Sequence, residues 1–286
     1  MEQILVNGLV SGSIYALIAL GLTLIFGIMR VVNFAHGQMY MLGGFGVYYL
    51  YAEAGLPYLV ALVLSTLSVA LVGVAFEVFL FRRVMRIAKR EENTMLLAMG
   101  TALLLENAAL LVFGEKQRGV PPFVDGVLMI GDAYLPMARL MVMASAIVLV
   151  AVLMAFVQFT STGRALRAVA QDREAVRLQG INTDMLGAIG FGLGAGLAGA
   201  AGGLLITVFA VNSGVGTAVS VKAFTMIMLG GAGVVPGAIL GGLLLGFAEA
   251  IGYELFPGSL TYLLIFVFLI TFLVIRPQGI MGKPER

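Results

Sequence analysis

The chain contains no cysteine and a single histidine, and only 11% of its 286 residues are charged. The missing cysteines exclude disulfides and thiolate-held metal, and they leave the redox compartment unreadable. A soluble globular domain carries about 25% charged residues, so a chain of this size has too little polar surface to cover itself in water. With 60% hydrophobic residues and a mean hydropathy of +1.05, it is built for a solvent that is mostly lipid. A net charge of +2 is too small to argue for nucleic acid. Catalytic signatures are missing too. There is no G-x-x-x-x-G-K-[ST] phosphate loop, so the chain does not hydrolyse ATP by that route. Nor is there a His-Glu-x-x-His, a nucleophile elbow or a Cys cluster, and an intramembrane enzyme has no visible catalyst.

What the sequence does have is long uncharged runs. A helix needs about 20 apolar residues to cross the hydrocarbon. Residues 4–29, 54–76, 140–163 and 258–275 carry no charge, 31–52 holds only His36, and 93–113 only Glu106. The uncharged runs 185–221 and 223–248 are too long for one span each, and Gly230-Gly-Ala-Gly with Pro236-Gly237 supplies a turn between two. The expectation is an all-α, polytopic transmembrane helix bundle of about nine spans (eight to ten): 4–29, 36–52, 57–80, 93–113, 137–160, 184–209, 217–233, 236–254 and 258–275. The short, Gly-broken segments 36–52 and 217–233 also read as half-helices. No repeat or soluble domain is visible, so 1–286 is one membrane domain with a loop at about 161–183. Met1-Glu2-Gln3 lacks the basic n-region of a cleavable signal, so the first apolar run reads as the first span.

Charge sets the expected orientation, because short cytoplasmic loops collect Lys and Arg. If the first span runs inward, the inner side receives Arg30, Arg82, Arg83, Arg86, Lys89, Arg90, Arg164, Arg167, Arg173, Arg177, Arg276, Lys283 and Arg286. The outer side keeps Lys116, Arg118, Arg139 and Lys222. The N-terminus is then outside and the C-terminus cytoplasmic.

Many of the 38 glycines lie four apart, among them Gly192/Gly196, Gly199/Gly203 and Gly237/Gly241. Small residues at this spacing let helix backbones approach closely, and dense packing or a deformable pathway both follow. The inner segment 161–182 reads as an amphipathic helix with a Ser/Thr start and Gly180 as its stop. It carries Arg164, Arg167, Asp172, Arg173, Glu174 and Arg177. A basic helix resting on anionic lipid and a helix docking into a cytoplasmic partner are both open, and the acids Asp172 and Glu174 favour the partner.

Polar groups inside spans are expensive and default to functional roles. Asn7, Tyr15, Asn33, His36, Asn107 and Glu249 are the candidate lining of a pathway. Glu249 stands out for having no basic neighbour in sequence. His36 without Cys, Asp or Glu beside it lacks metal-ligand company, so no metal is expected. The small number of charges in the spans argues against a proton pump or a charged ion filter.

Several stretches resemble a known family. Asn7-Gly-Leu-Val-Ser-Gly-Ser-Ile-Tyr-Ala-Leu-Ile-Ala-Leu-Gly-Leu-Thr, Asn33-Phe-Ala-His-Gly-Gln, Gly163-Arg-Ala-Leu-Arg-Ala-Val-Ala-Gln-Asp, Gly230-Gly-Ala-Gly and Arg276-Pro-Gln-Gly-Ile-Met-Gly look like the LivH-type permease of branched-chain amino acid ABC importers. The resemblance runs in order along nearly the whole chain. It implies a bacterial inner-membrane, multi-pass subunit that binds no cofactor itself, with ATP and Mg used by partners. Those partners are a second, LivM-like permease, two cytoplasmic ATPase subunits and a periplasmic substrate-binding protein. The loop from Arg164 to Gly180 then becomes the ATPase-coupling segment. The substrate class stays open among branched-chain amino acids, urea, amides and aromatic acids. A stand-alone channel or facilitator for small polar solutes is the alternative.

Overall fold

The computed structural model describes residues 1–29, 33–87 and 91–282. Arg30, Lys89, Arg90, Lys283 and Arg286, all assigned above to the inner side, lie outside the described residues.

The first helix, α1 (Glu2–Met29), is apolar on every face. A helix with no polar stripe belongs in the middle of a bundle, and α1 is buried along nearly all of its length from Val10 to Met29. Its partner at the centre is α9 (Thr183–Leu205), likewise buried almost throughout. Around this pair stand α2 (His36–Val47), continued by a π-helical turn at Tyr48–Glu53, and α3 (Tyr58–Phe76), continued through a π turn at Glu77–Phe81 into α4 (Arg82–Ile87). Then come α5 (Glu91–Phe113), a hairpin of β1 (Val127–Ile130) and β2 (Ala133–Pro136), and α6 (Met137–Phe159). Two short helices, α7 (Ser161–Gln171) and α8 (Arg173–Leu178), precede α9; α10 (Val215–Gly230), α11 (Val235–Leu255) and α12 (Gly258–Ile275) complete the described order.

Among the described residues seven helices are long and apolar enough to cross a membrane: α1, the α3–α4 rod, α5, α6, α9, α11 and α12. The two remaining expected spans, α2 with its π turn and the shorter apolar α10, are the Gly-broken segments already marked as half-helices. The outer helices α5 and α12 leave large apolar side chains such as Leu104, Leu111, Phe268 and Val274 exposed, as a lipid-facing surface requires.

Glycine placement explains why α9 is central. Gly192, Gly196 and Gly199 face α3, where added Cβ atoms would press on Val74, Ala70 and Val69; Gly203 meets Val47 and Leu62. Gly202 abuts the Tyr40 carbonyl of α2 and Gly194 the Gly21 carbonyl of α1. Three helices therefore pack backbone-close on one rod. Gly237 and Gly241 do the same for α10 and α11, against Gly230 and the Met226 carbonyl. Gly242 and Gly246 bring α11 onto α1 at Ala16 and Gly12.

The structure departs from the sequence reading at three places. The loop 114–136 contains the β1–β2 hairpin, paired antiparallel from Val127–Pro136 to Ile130–Ala133 around Gly131 at φ +59°. Among the described residues it is the one sheet in an otherwise helical chain. Its four-residue strands are too short to register as alternation, and α1 holds them: Glu2 accepts from the Asp132 N–H and Gln3 Oε1 from the Tyr134 N–H. The segment 161–182 is two helices, because Asp172 leaves helical geometry and caps α8 through the N–H groups of Glu174 and Ala175. Arg173 therefore begins a second helix instead of extending the one that buries Leu166 and Val169. Third, Lys222, counted above with the outer side although it falls in the expected span 217–233, lies inside α10.

The bundle has two distinct ends. The hairpin end gathers the start of α1, Tyr48, the loop 114–126 and the segment after α9, tied by the Arg118–Val211 bridge and the Arg118–Tyr48 hydrogen bond of 3.2 Å. The opposite end gathers α4, α7, α8 and the start of α9, and there residues 280–281 hydrogen-bond to the last turn of α10.

Candidate functional site

Between α1, α10 and α11 lies a cavity of about 470 Å³, within the size range of small-molecule sites. Its mouth, near the hairpin end, carries Asn7, Arg139, Phe209 and Glu254; its floor carries Ile18 and Tyr40. Ile18 is 16 residues into α1 from Glu2, which puts the floor about 24 Å along that helix.

Three charged or polar side chains meet on its wall. Tyr15 of α1 donates its hydroxyl to Glu249 Oε2 at 2.6 Å. Lys222 of α10 lies 2.8 Å from Glu249 Oε1 and donates to the Tyr15 hydroxyl oxygen at 2.9 Å. The lysine ammonium also sits 5.1 Å over the Tyr15 ring and 5.2 Å over that of Tyr262, within cation–π range. Glu249 therefore has a basic partner after all. Nothing in the sequence places Lys222 beside it, since the contact depends on α10 and α11 folding back at the Gly231–Val234 turn. Of the candidate pathway residues, Asn7, Tyr15 and Glu249 line this cavity.

Asn33 and His36 lie beneath its floor. Because α2 begins against the middle of α1, His36 Nε2 donates to the Ile18 carbonyl at 3.0 Å. Both side chains are fully buried, and His36 Nδ1 and Asn33 Nδ2 have no hydrogen-bond partner among the described residues. Asn107 is not brought to this site. It is on the exposed side of α5, donating to the Leu103 carbonyl of its own helix. Its neighbour Glu106 turns inward instead, accepting from Thr217 at 2.6 Å and Gln38 at 3.2 Å and so joining α5 to α10 and α2.

The second concentration of charge is at the opposite end. Arg82, Arg86, Arg173 and Arg177 surround Asp184 in a recess of about 540 Å³ that also holds Glu174. Arg86 pairs with Asp184, Arg173 approaches it at 3.4 Å, and Arg82 pairs with the buried Glu77 while donating to the Asp184 carbonyl. Thr160 caps α7 by accepting from the Gly163 N–H at 2.9 Å, and Gly180 at φ +79° ends the segment. Leu166, Val169 and Val176 face the bundle. Arg164, Arg167, Asp172, Glu174 and Arg177 are exposed, with Leu178 beside them. The sequence gives no sign that Asp184 links this segment to α4.

Residues 4–274 match the family described as branched-chain amino acid transport system / permease component. The chain is 36% identical to the high-affinity branched-chain amino acid transport system permease protein BraD of Pseudomonas aeruginosa, covering 99% of this chain and 96% of that one. It is 34% identical to the permease protein LivH of Escherichia coli K12, with the same coverage. A probable LivH of Methanocaldococcus jannaschii is 26% identical over 98% of this chain and 92% of its own. No solved structure matches the chain. By this full-length match the chain belongs to the family of branched-chain amino acid transport system permease components.

Proposed function

We propose that the chain is the membrane-spanning permease subunit of an ATP-driven importer of branched-chain amino acids, and not itself an enzyme. The observation that carries this reading is the match along 99% of the chain to permeases named for that transport. The cavity supports it, since a site of about 470 Å³ with opposite charges on an apolar wall suits a small zwitterion. Asn33 and His36, buried below the floor with atoms that find no partner among the described residues, mark the continuation of the path.

The chain crosses the bacterial inner membrane nine times, with the hairpin end outside. Arg82, Arg83, Arg86, Arg164, Arg167, Arg173, Arg177 and Arg276 then face the cytoplasm and Lys116, Arg118 and Arg139 the exterior, as short-loop charge bias requires. The exposed segment from Arg164 to Gly180 docks on a cytoplasmic ATPase. Its buried residues Leu166 and Val169 and the Arg173–Asp184 contact carry ATPase closure into α9. A LivM-like second permease, two ATPases that hold ATP and Mg, and a periplasmic binding protein at the hairpin end complete the assembly. Affinity purification from native membranes with mass spectrometry and an ATP hydrolysis assay tests this. ATPase subunits and a second permease are expected to co-purify, and a chain that purifies alone without hydrolysis contradicts the reading.

A further inference from the structure

Resting on that transport reading, we propose that Lys222 and Glu249 form the head-group site of the cavity. A free amino acid seats its carboxylate on Lys222 and its ammonium on Glu249, with its aliphatic side chain against Val10, Ile18, Val215 and Val219.

The ion pair is not needed to hold its helices together. α10 and α11 already touch backbone to backbone where Gly230 meets Gly237 and Met226 meets Gly241. Charges inside a membrane bundle carry a large desolvation cost, and a pair of this kind is weak as a source of stability. Its position on the wall of an open cavity gives it another use.

The bonding capacity fits. An ammonium has three N–H donors; Glu249 and Tyr15 take two from Lys222, leaving one among the described residues for the cavity. Each carboxylate oxygen accepts more than one hydrogen bond, and each Glu249 oxygen holds one. A zwitterion that enters through these free positions then exchanges the internal ion pair for two intermolecular ones, so each protein charge ends beside an opposite charge. An amino-acid amide or a simple carboxylic acid brings only one of the two charges, and a simple amide neither, so at least one protein group is stranded, which is how a polar site rejects an analogue. Tyr15 stays bonded to Glu249 and fixes its rotamer. The valines and Ile18 supply the apolar wall for a branched side chain.

The test uses the complete importer, with its ATPases and binding protein, in proteoliposomes. Lys222→Gln and Glu249→Gln are each expected to lower leucine uptake about tenfold or more, the scale of losing one partner of a buried charge pair. The exchange variant Lys222→Glu/Glu249→Lys rebuilds the internal pair but reverses the site, and its uptake is expected to stay low. Recovery to the parent rate overturns the proposal and makes the pair a structural strut. A diazirine analogue of leucine, delivered by the binding protein to the wild-type importer, gives a readout free of any folding defect. Adducts on the α1 and α10 peptides carrying Ile18 and Val219 are expected, and adducts confined elsewhere overturn the proposal. A wild-type importer that moves no amino acid is a failure of the transport reading, whereas active parent and active exchange variant together fail this proposal alone.

Discussion

Arg86 at the end of the α3–α4 rod and Asp184 in the first turn of α9 are in direct ion contact, although 98 residues separate them. Arg173 of α8 reaches the same carboxylate from the other side at 3.4 Å. Asp184 thus ties α8 and the end of the α3–α4 rod to the start of α9, and an acid in the first turn also complements the helix dipole. Asp184→Asn is expected to lower melting stability by less than about 1 kcal/mol, since such partly exposed pairs contribute little. Uptake by the assembled importer should fall much further, with hydrolysis continuing. Stability and uptake falling in proportion would make the contact a strut only.

The exposed arginines of α7 test docking more cleanly than Arg173, which also holds Asp184. Arg164→Glu with Arg167→Glu changes exposed side chains that touch the bundle through the Phe159 and Gln158 carbonyls at the end of α6. Losing these exposed contacts at the end of α6 should cost less than about 1 kcal/mol of stability in detergent, while co-purified ATPase drops about tenfold, as expected for reversed charge at an interface. Undiminished co-purification places the docking surface elsewhere.

Two glycines on α9 separate close packing from mere composition. A Cβ at Gly202 would overlap the Tyr40 carbonyl oxygen, and α2 must move away to admit it. At Gly196 the nearest atom is the Ala70 Cβ at 3.2 Å, which yields with a small shift. Gly202→Ala should cost about 1–3 kcal/mol, the range of overpacked cores, and Gly196→Ala well under that. Detergent melting curves of both variants check the order, and equal losses would mean α2 and α3 are equally free to move.

Glu106 joins three helices through Thr217 and Gln38, so Glu106→Leu removes the acceptor for both. Thr217 is exposed, so the cost falls on the buried Gln38 amide, left with only its long 3.4 Å contact to Thr217; it is expected to be about 1–3 kcal/mol, read as a fall in melting temperature that Glu106→Gln partly restores. A leucine variant as stable as the parent would mean water satisfies these groups.

The spans were legible because lipid imposes long uncharged runs, and the α10–α11 turn because Gly231 needs φ +108°. Asn7, Tyr15 and Glu249 were visible as polar residues out of place in apolar runs. Lys222 was not, since its meaning depends on a partner on the next helix. The β1–β2 hairpin is not legible because Val127-Leu-Met-Ile is apolar without alternation and the Asp132 and Tyr134 N–H groups find their acceptors on Glu2 and Gln3, far away in sequence. The break at Asp172 was hidden because an acid inside an amphipathic run and an acid capping a new helix look alike until φ and ψ are known.

The central claim is that this chain moves amino acids only as part of an ATP-driven assembly. Its most direct test is uptake of labelled leucine into proteoliposomes that contain either the chain alone or the full importer, with and without ATP on the cytoplasmic side. The account predicts uptake against a gradient by the full importer with ATP, and none by the chain alone. Leucine flux through the purified chain without ATP would contradict it and make the protein a facilitator.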